Sequence, residues 1–72
     1  MNTTALTLKI NGEAREIGAA ALDEALVEIG VDPTRAGIAV ALNGAVVPRS
    51  RWADTALAAG DDLEVIGATQ GG

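Results

Sequence analysis

Ala5-Leu6-Thr7-Leu8-Lys9-Ile10-Asn11-Gly12 begins in strict alternation and closes on a dipeptide suited to a tight chain reversal. Leu6, Leu8 and Ile10 fall on one face of a strand, and Thr7 and Lys9 fall on the other. Asn11-Gly12 fits a two-residue turn whose central positions both need positive φ, a conformation that glycine accepts freely. Glu13 to Ile17 then reads as the returning strand. The chain therefore opens with a β-hairpin.

The period then changes. From about Ala19 to Ile29 the apolar residues Leu22, Ala25, Leu26 and Ile29 share one helical stripe, while Asp23, Glu24 and Glu28 lie towards solvent. Asp23 and Glu24 suit the positive end of the helix, but no Ser, Thr, Asp or Asn stands just before it, so the N-cap is poor. Gly30 takes the position that ends a helix, and Pro33 prevents its continuation. A loop over residues 31–37 follows. Ile38-Ala39-Val40-Ala41-Leu42 is apolar throughout, as expected of an inner strand.

Asn43-Gly44 supplies a second hairpin turn into the short strand Ala45-Val46-Val47, which Pro48 confines to an edge. Residues Ser50 to Leu57 read as an irregular turn or short helix that carries Trp52 and Leu57 inwards. Gly60-Asp61 turns the chain into a last strand, residues 62–66, with Leu63 and Val65 facing the core. The order β-β-α-β-β-turn-β predicts an α+β chain of the β-grasp, or ubiquitin-like, type. It is a mixed sheet of about five strands with one helix packed across it. The domain spans residues 1–66, and residues 67–72 form a tail.

Composition narrows the function. The 72 residues make one small domain, which buries about 60% of its unfolded surface. With no cysteine and no histidine, the chain offers no thiol nucleophile, no zinc-type site and no imidazole for acid–base work. We expect no metal and no catalytic residue. The missing cysteines fit a reducing cytoplasm. The chain shows no secretory signal, and no apolar run reaches transmembrane length. A net charge of −5 repels phosphate backbones, and Trp52 alone could stack on bases, so neither nucleic acid nor membrane is an expected partner. An acidic face could instead be steered towards a basic pocket on a protein, or serve only solubility.

Gly67-Ala68-Thr69-Gln70-Gly71-Gly72 holds no large apolar anchor and is expected to be flexible. Six extended residues reach roughly 20 Å, enough to thread a partner's active site while the domain docks outside. Gly71-Gly72 brings no Cβ to a narrow channel. The carboxylate at its end is a poor electrophile until adenylation supplies a phosphate leaving group, and the chain has no Gly-rich phosphate loop with a lysine to do this itself. The open face of the sheet carries Thr7, Lys9 and Glu64 beside the apolar Ala39, Ala41 and Ile66. That apolar set is either a docking face or a patch of little consequence.

Ile38 to Gly44, then Val47-Pro48-Arg49 with Trp52 three residues on, then Leu57, Gly60-Asp61 and Gly71-Gly72, closely resembles the thiamine-biosynthesis sulfur carrier family, ThiS. The resemblance covers nearly the whole chain and is best from residue 38 onward. It implies a carrier, not an enzyme: a ThiF-type adenylating enzyme activates Gly72 with ATP, and the chain itself binds no cofactor. Sulfur from a cysteine desulfurase or other persulfide donor then makes a C-terminal thiocarboxylate, which thiazole synthase consumes. Thr69, Gln70 and Gly71 would thread the partner's site, and the free carrier would be a monomer. Ala21 departs from the family, which often has a threonine there. Molybdopterin- and cysteine-synthesis carriers and ubiquitin-like modifiers share the pattern and remain alternatives.

Single residues have plainer readings as well. Trp52 reads as a core plug, since few other large side chains can fill the interior. Arg49 and Arg51 either meet an acidic partner or lie over Trp52. Asp61 and Asp62 read as turn residues rather than an acid–base pair, and Lys9 as a solvent-facing strand residue.

Overall fold

The computed structural model describes residues 5–67. Strand β1 (Leu6–Ile10) and strand β2 (Glu13–Ile17) form the opening hairpin, with Leu6 paired to Ile17 and Ile10 to Glu13. At its turn Asn11 and Gly12 both adopt positive φ, 52° and 85°. Helix α1 (Leu22–Glu28) crosses to strand β3 (Ile38–Leu42), which turns at Asn43-Gly44 into the two-residue strand β4 (Ala45–Val46). A 3-10 helix (Arg49–Asp54) leads to the last strand, β5 (Asp62–Gly67). The five strands lie in the order β2-β1-β5-β3-β4. Strand β5 is parallel to β1 and antiparallel to β3, so the last strand in sequence is the central one in space. It also takes in Gly67, one residue past the expected boundary.

One face of this sheet is covered and the other is open. Leu8, Ile10, Ile17, Val40 and Leu63 meet Leu22, Ala25 and Leu26 of α1, and Trp52 and Leu57 complete the core. Each fully buried aliphatic side chain contributes about 1.5–3 kcal/mol relative to exposure. Trp52 donates its indole N–H to the Val47 carbonyl at 2.8 Å, so its one polar atom is satisfied inside the core. Arg49 stacks on the same ring, its guanidinium carbon 4.6 Å from the centroid, and donates to the Pro33 and Arg35 carbonyls. Of its two readings, lying over Trp52 is the one observed. The loop between α1 and β3 is thereby tied to the 3-10 helix.

Helix α1 is shorter than the stripe predicts. Ala19, Ala20 and Ala21 are good helix formers, yet they lie outside it because distant groups claim their backbone. The Ala20 carbonyl accepts the Leu57 N–H at 2.9 Å, and Ala21 bridges Ala56. The Glu28 carboxylate reaches back to the N–H groups of Gly18 and Ala19, at 3.0 and 3.1 Å. The N-cap Ala21 provides no side-chain bond, as the sequence implies, and the Thr55 carbonyl accepts the Leu22 N–H in its place. At the other end Gly30 has φ 91°, and bonds from Gly30 to Val27 and from Val31 to Leu26 close the helix with a Schellman motif.

Candidate functional site

Among the described residues there is no buried polar or charged group, no cysteine, and no cluster of metal-ligating side chains. No described helix is long and apolar enough to cross a membrane. Asp61 and Asp62 act as turn and strand residues. Asp61 accepts the Ala58 N–H at 2.8 Å and an Asn43 amide proton at 3.1 Å, while the Asp62 N–H donates to the Asn43 side-chain oxygen at 2.9 Å.

The open face of the sheet carries the residues expected to dock. Ala39 stands directly across from Ile66, so two of the expected docking residues share one cross-strand pair. Ile66 is 61% exposed, and the Ala39 beside it leaves its side chain standing clear of the sheet. Ala41, the third, sits between Glu64 on β5 and Val46 on β4. Val46 is 76% exposed and belongs to the same patch, although the sequence reading does not include it. A two-residue Asn-Gly turn forces Leu42 opposite Ala45 and hence Ala41 opposite Val46, so the signal for it lay in the turn. Glu16, Asp62 and Glu64 fall on this face with Lys9, by their pairing with Thr7, Lys9 and Ala41. An apolar patch with a mostly acidic surround suits a partner whose apolar knob is ringed by basic groups.

The rigid strand behind the tail is held from both sides. Asn43 donates its backbone N–H to the Asp62 carbonyl at 2.7 Å at the start of β5. Near the other end the Asn11 side chain accepts the Val65 N–H at 2.9 Å and donates to the Val65 carbonyl at 3.3 Å. The strand runs to Gly67, which pairs with Ile38 of β3. Gly72, Gly71, Gln70 and Thr69, the proposed activation and threading residues, lie outside the described residues.

The model of the ThiS family matches residues 8–72. A crystal structure of the thiamine biosynthesis protein ThiS from Geobacter metallireducens superposes with a TM-score of 0.75 at 30% identity, covering 93% of this chain and all of that one. A thiazole synthase of Paramagnetospirillum magneticum is 41% identical over 68 residues, which are 93% of this chain. The chain spans about a fifth of that relative's length, 20%.

Proposed function

The chain belongs to the ThiS family, and from that membership we propose that it carries sulfur for thiazole formation in thiamine biosynthesis, with the carboxyl carbon of Gly72 as its working atom. The family match carries this reading because it runs through Gly71 and Gly72 rather than stopping at the folded domain.

The chemistry follows from what a carboxylate lacks. A ThiF-type partner joins the Gly72 carboxylate to the α-phosphorus of ATP and expels pyrophosphate. The terminal sulfur of a persulfide then attacks the carbonyl carbon and displaces AMP to give an acyl disulfide, and a second thiol cleaves its S–S bond, releasing the thiocarboxylate and leaving a disulfide on the donor side. Splitting the exchange of oxygen for sulfur in this way replaces one hard step by several easier ones. The thiocarboxylate sulfur stays ionised near neutral pH and attacks the thiazole precursor held by thiazole synthase. In this cycle the domain docks through Ala39, Ala41, Val46 and Ile66, and Thr69, Gln70 and Gly71 lie in the partner's channel. The cycle belongs in the cytoplasm, where ATP and reduced sulfur donors meet. A thiazole synthase that contains a segment like this chain supports the pairing, since covalent linkage raises the effective concentration of two parts that must meet.

Intact-mass analysis tests the proposal. The mass of the isolated protein first establishes Gly72 as its end. Incubation with ATP, the adenylating enzyme, a persulfide donor and a thiol reductant should then exchange one terminal oxygen for sulfur. No exchange, with enzymes active on another carrier, overturns the reading. Adducts to target lysines that resist reductant would mark a ubiquitin-like modifier instead. Gly71→Val should fold as the parent does and fail to be adenylated, because its side chain would fill the channel.

A further inference from the structure

Strand β5 outruns one of its neighbours. Its paired register with β1 ends at Ile10 and Leu63, while its register with β3 continues to Ile38 and Gly67. The helix gives this overhang little support from below. Seven residues of α1 span about 10 Å, whereas a five-residue strand runs about 17 Å. Past the helix end a groove of about 410 Å³ opens, lined by Ile10, Ile29, Asp32, Ile38, Val65 and Gly67. The end of β5 therefore has a strand on one side, no strand on the other, and an open groove beneath.

A side chain fills the vacant side. Asp62 exchanges bonds with Asn43, its carbonyl accepting the Asn43 N–H at 2.7 Å and its N–H donating to the Asn43 side-chain oxygen at 2.9 Å. By alternation Glu64 and Ile66 turn their backbone groups to β3, and Leu63 and Val65 turn theirs to β1. The Leu63 carbonyl accepts the Asn11 N–H at 2.9 Å, and there the hairpin turns away. At Val65 the Asn11 carboxamide stands in for the missing strand. Its oxygen accepts the Val65 N–H at 2.9 Å, and its nitrogen donates to the Val65 carbonyl at 3.3 Å. Asn11 thus carries the ladder one rung beyond the end of β1. It does so from the turn itself, at φ 52°, a conformation that asparagine tolerates better than most side chains.

We propose that Asn11 is a positioning residue for activation of the C-terminus: by pinning Val65 it fixes the line on which the chain leaves the domain at Gly67. This role rests on the reading of Gly72 as the activated carbon. A strand end held along one edge frays at low cost. A frayed end sends the chain past Gly67 along many lines, few of which meet the partner's channel while the domain is docked. Only the pinned fraction then forms the complex, so loss of the clamp raises KM by the inverse of that fraction. Once the terminal carbonyl is seated, the partner holds the segment and kcat is unaffected.

Asn43 supplies the control. It occupies the same Asn-Gly turn at the same φ of 52° and bonds to β5 through its side chain, but at Asp62, the end far from Gly67. Glycine accepts positive φ freely, so Asn11→Gly and Asn43→Gly each keep the turn and remove only the side-chain bonds. The full chain is assayed with ATP and a ThiF-type adenylating enzyme by pyrophosphate release. KM should rise about fivefold for Asn11→Gly at unchanged kcat, and by less than about twofold for Asn43→Gly. Asn11→Asp, which keeps the acceptor for the Val65 N–H, should recover part of the loss. In the free chain, amide exchange at Val65 should rise in Asn11→Gly and not in Asn43→Gly. An active parent with KM unmoved in Asn11→Gly, or raised equally in Asn43→Gly, overturns the role of Asn11 alone. A parent that is not adenylated overturns the reading of Gly72 and this role with it.

Discussion

Leu63 and Ile66 belong to one strand, yet the first is fully buried and the second is 61% exposed. The pleat alone separates them, since successive side chains of a strand point to opposite faces. Towards α1, Leu63 meets a core that leaves it no exposed surface. Towards solvent, the even-numbered residues Glu64 and Ile66 stand beside two small alanines. A single six-residue strand therefore holds the domain together with one side and leaves the other to solvent.

That contrast can be broken by substitution along β5. The largest effect is expected from Leu63→Ala, which should cost about 2–5 kcal/mol through lost burial and a residual cavity. Urea denaturation at constant m-value would measure it, and a loss under 1 kcal/mol would mean that the odd positions are not the anchoring ones. Asn11→Ala comes next. It removes both side-chain bonds to Val65 and should cost about 1–2 kcal/mol, with hydrogen exchange rising at Val65 but not at Glu64. Equal exchange at both residues would show that Asn11 does not close the β1-side edge.

Ile66→Thr sharpens the comparison from the other face. It keeps the β-branch and should shift stability by no more than about 0.5 kcal/mol, as surface changes do. Affinity for the adenylating partner, read by calorimetry, should fall about tenfold. A stability loss as large as that of Leu63→Ala would erase the distinction between the faces.

The smallest effect is electrostatic and sits on the groove rim. Hydrogen bonds from the Thr34 hydroxyl and N–H, aided by the charges of Arg35 and Arg49, hold the Asp32 carboxyl below its usual value of 3.8. A carboxylate with a lowered folded pKa stabilises the fold above its unfolded pKa, and that contribution fades as the pH falls through the lowered folded value. Acidification below 3.8 should therefore shift the Thr34 amide resonance at a pH lower than an ordinary aspartate would, while the Ala39–Ile66 pair stays unchanged. Titration of Thr34 at the ordinary value would remove this feature.

Much of the fold is legible along the chain because its signals are local. Asn11-Gly12 and Asn43-Gly44 meet the positive-φ demand of a tight turn within their own backbones, at φ 52° and 85° and at 52° and 87°. Leu22, Ala25 and Leu26 mark the buried stripe of α1 without reference to what covers it. Ala39, Ala41 and Ile66 can be placed on one face by alternation alone, and Val46 follows once the Asn43-Gly44 turn sets the register. The withdrawal of Ala19 to Ala21 from the helix could not be read this way, since Ala56, Leu57 and Glu28 cause it from elsewhere in the chain.

By itself, then, the amino-acid order determined the turns, the strand and helix periods, the acidic balance and the glycine pair at the end, all of which depend on neighbours within a few residues. Tertiary structure alone decided that the final strand lies at the centre of the sheet. It also decided that two identical Asn-Gly turns pin that strand near opposite ends, and that the short helix leaves a groove beside Gly67. These outcomes depend on which distant segments can satisfy one another's backbone groups and bury one another's apolar faces, and no local pattern encodes that choice.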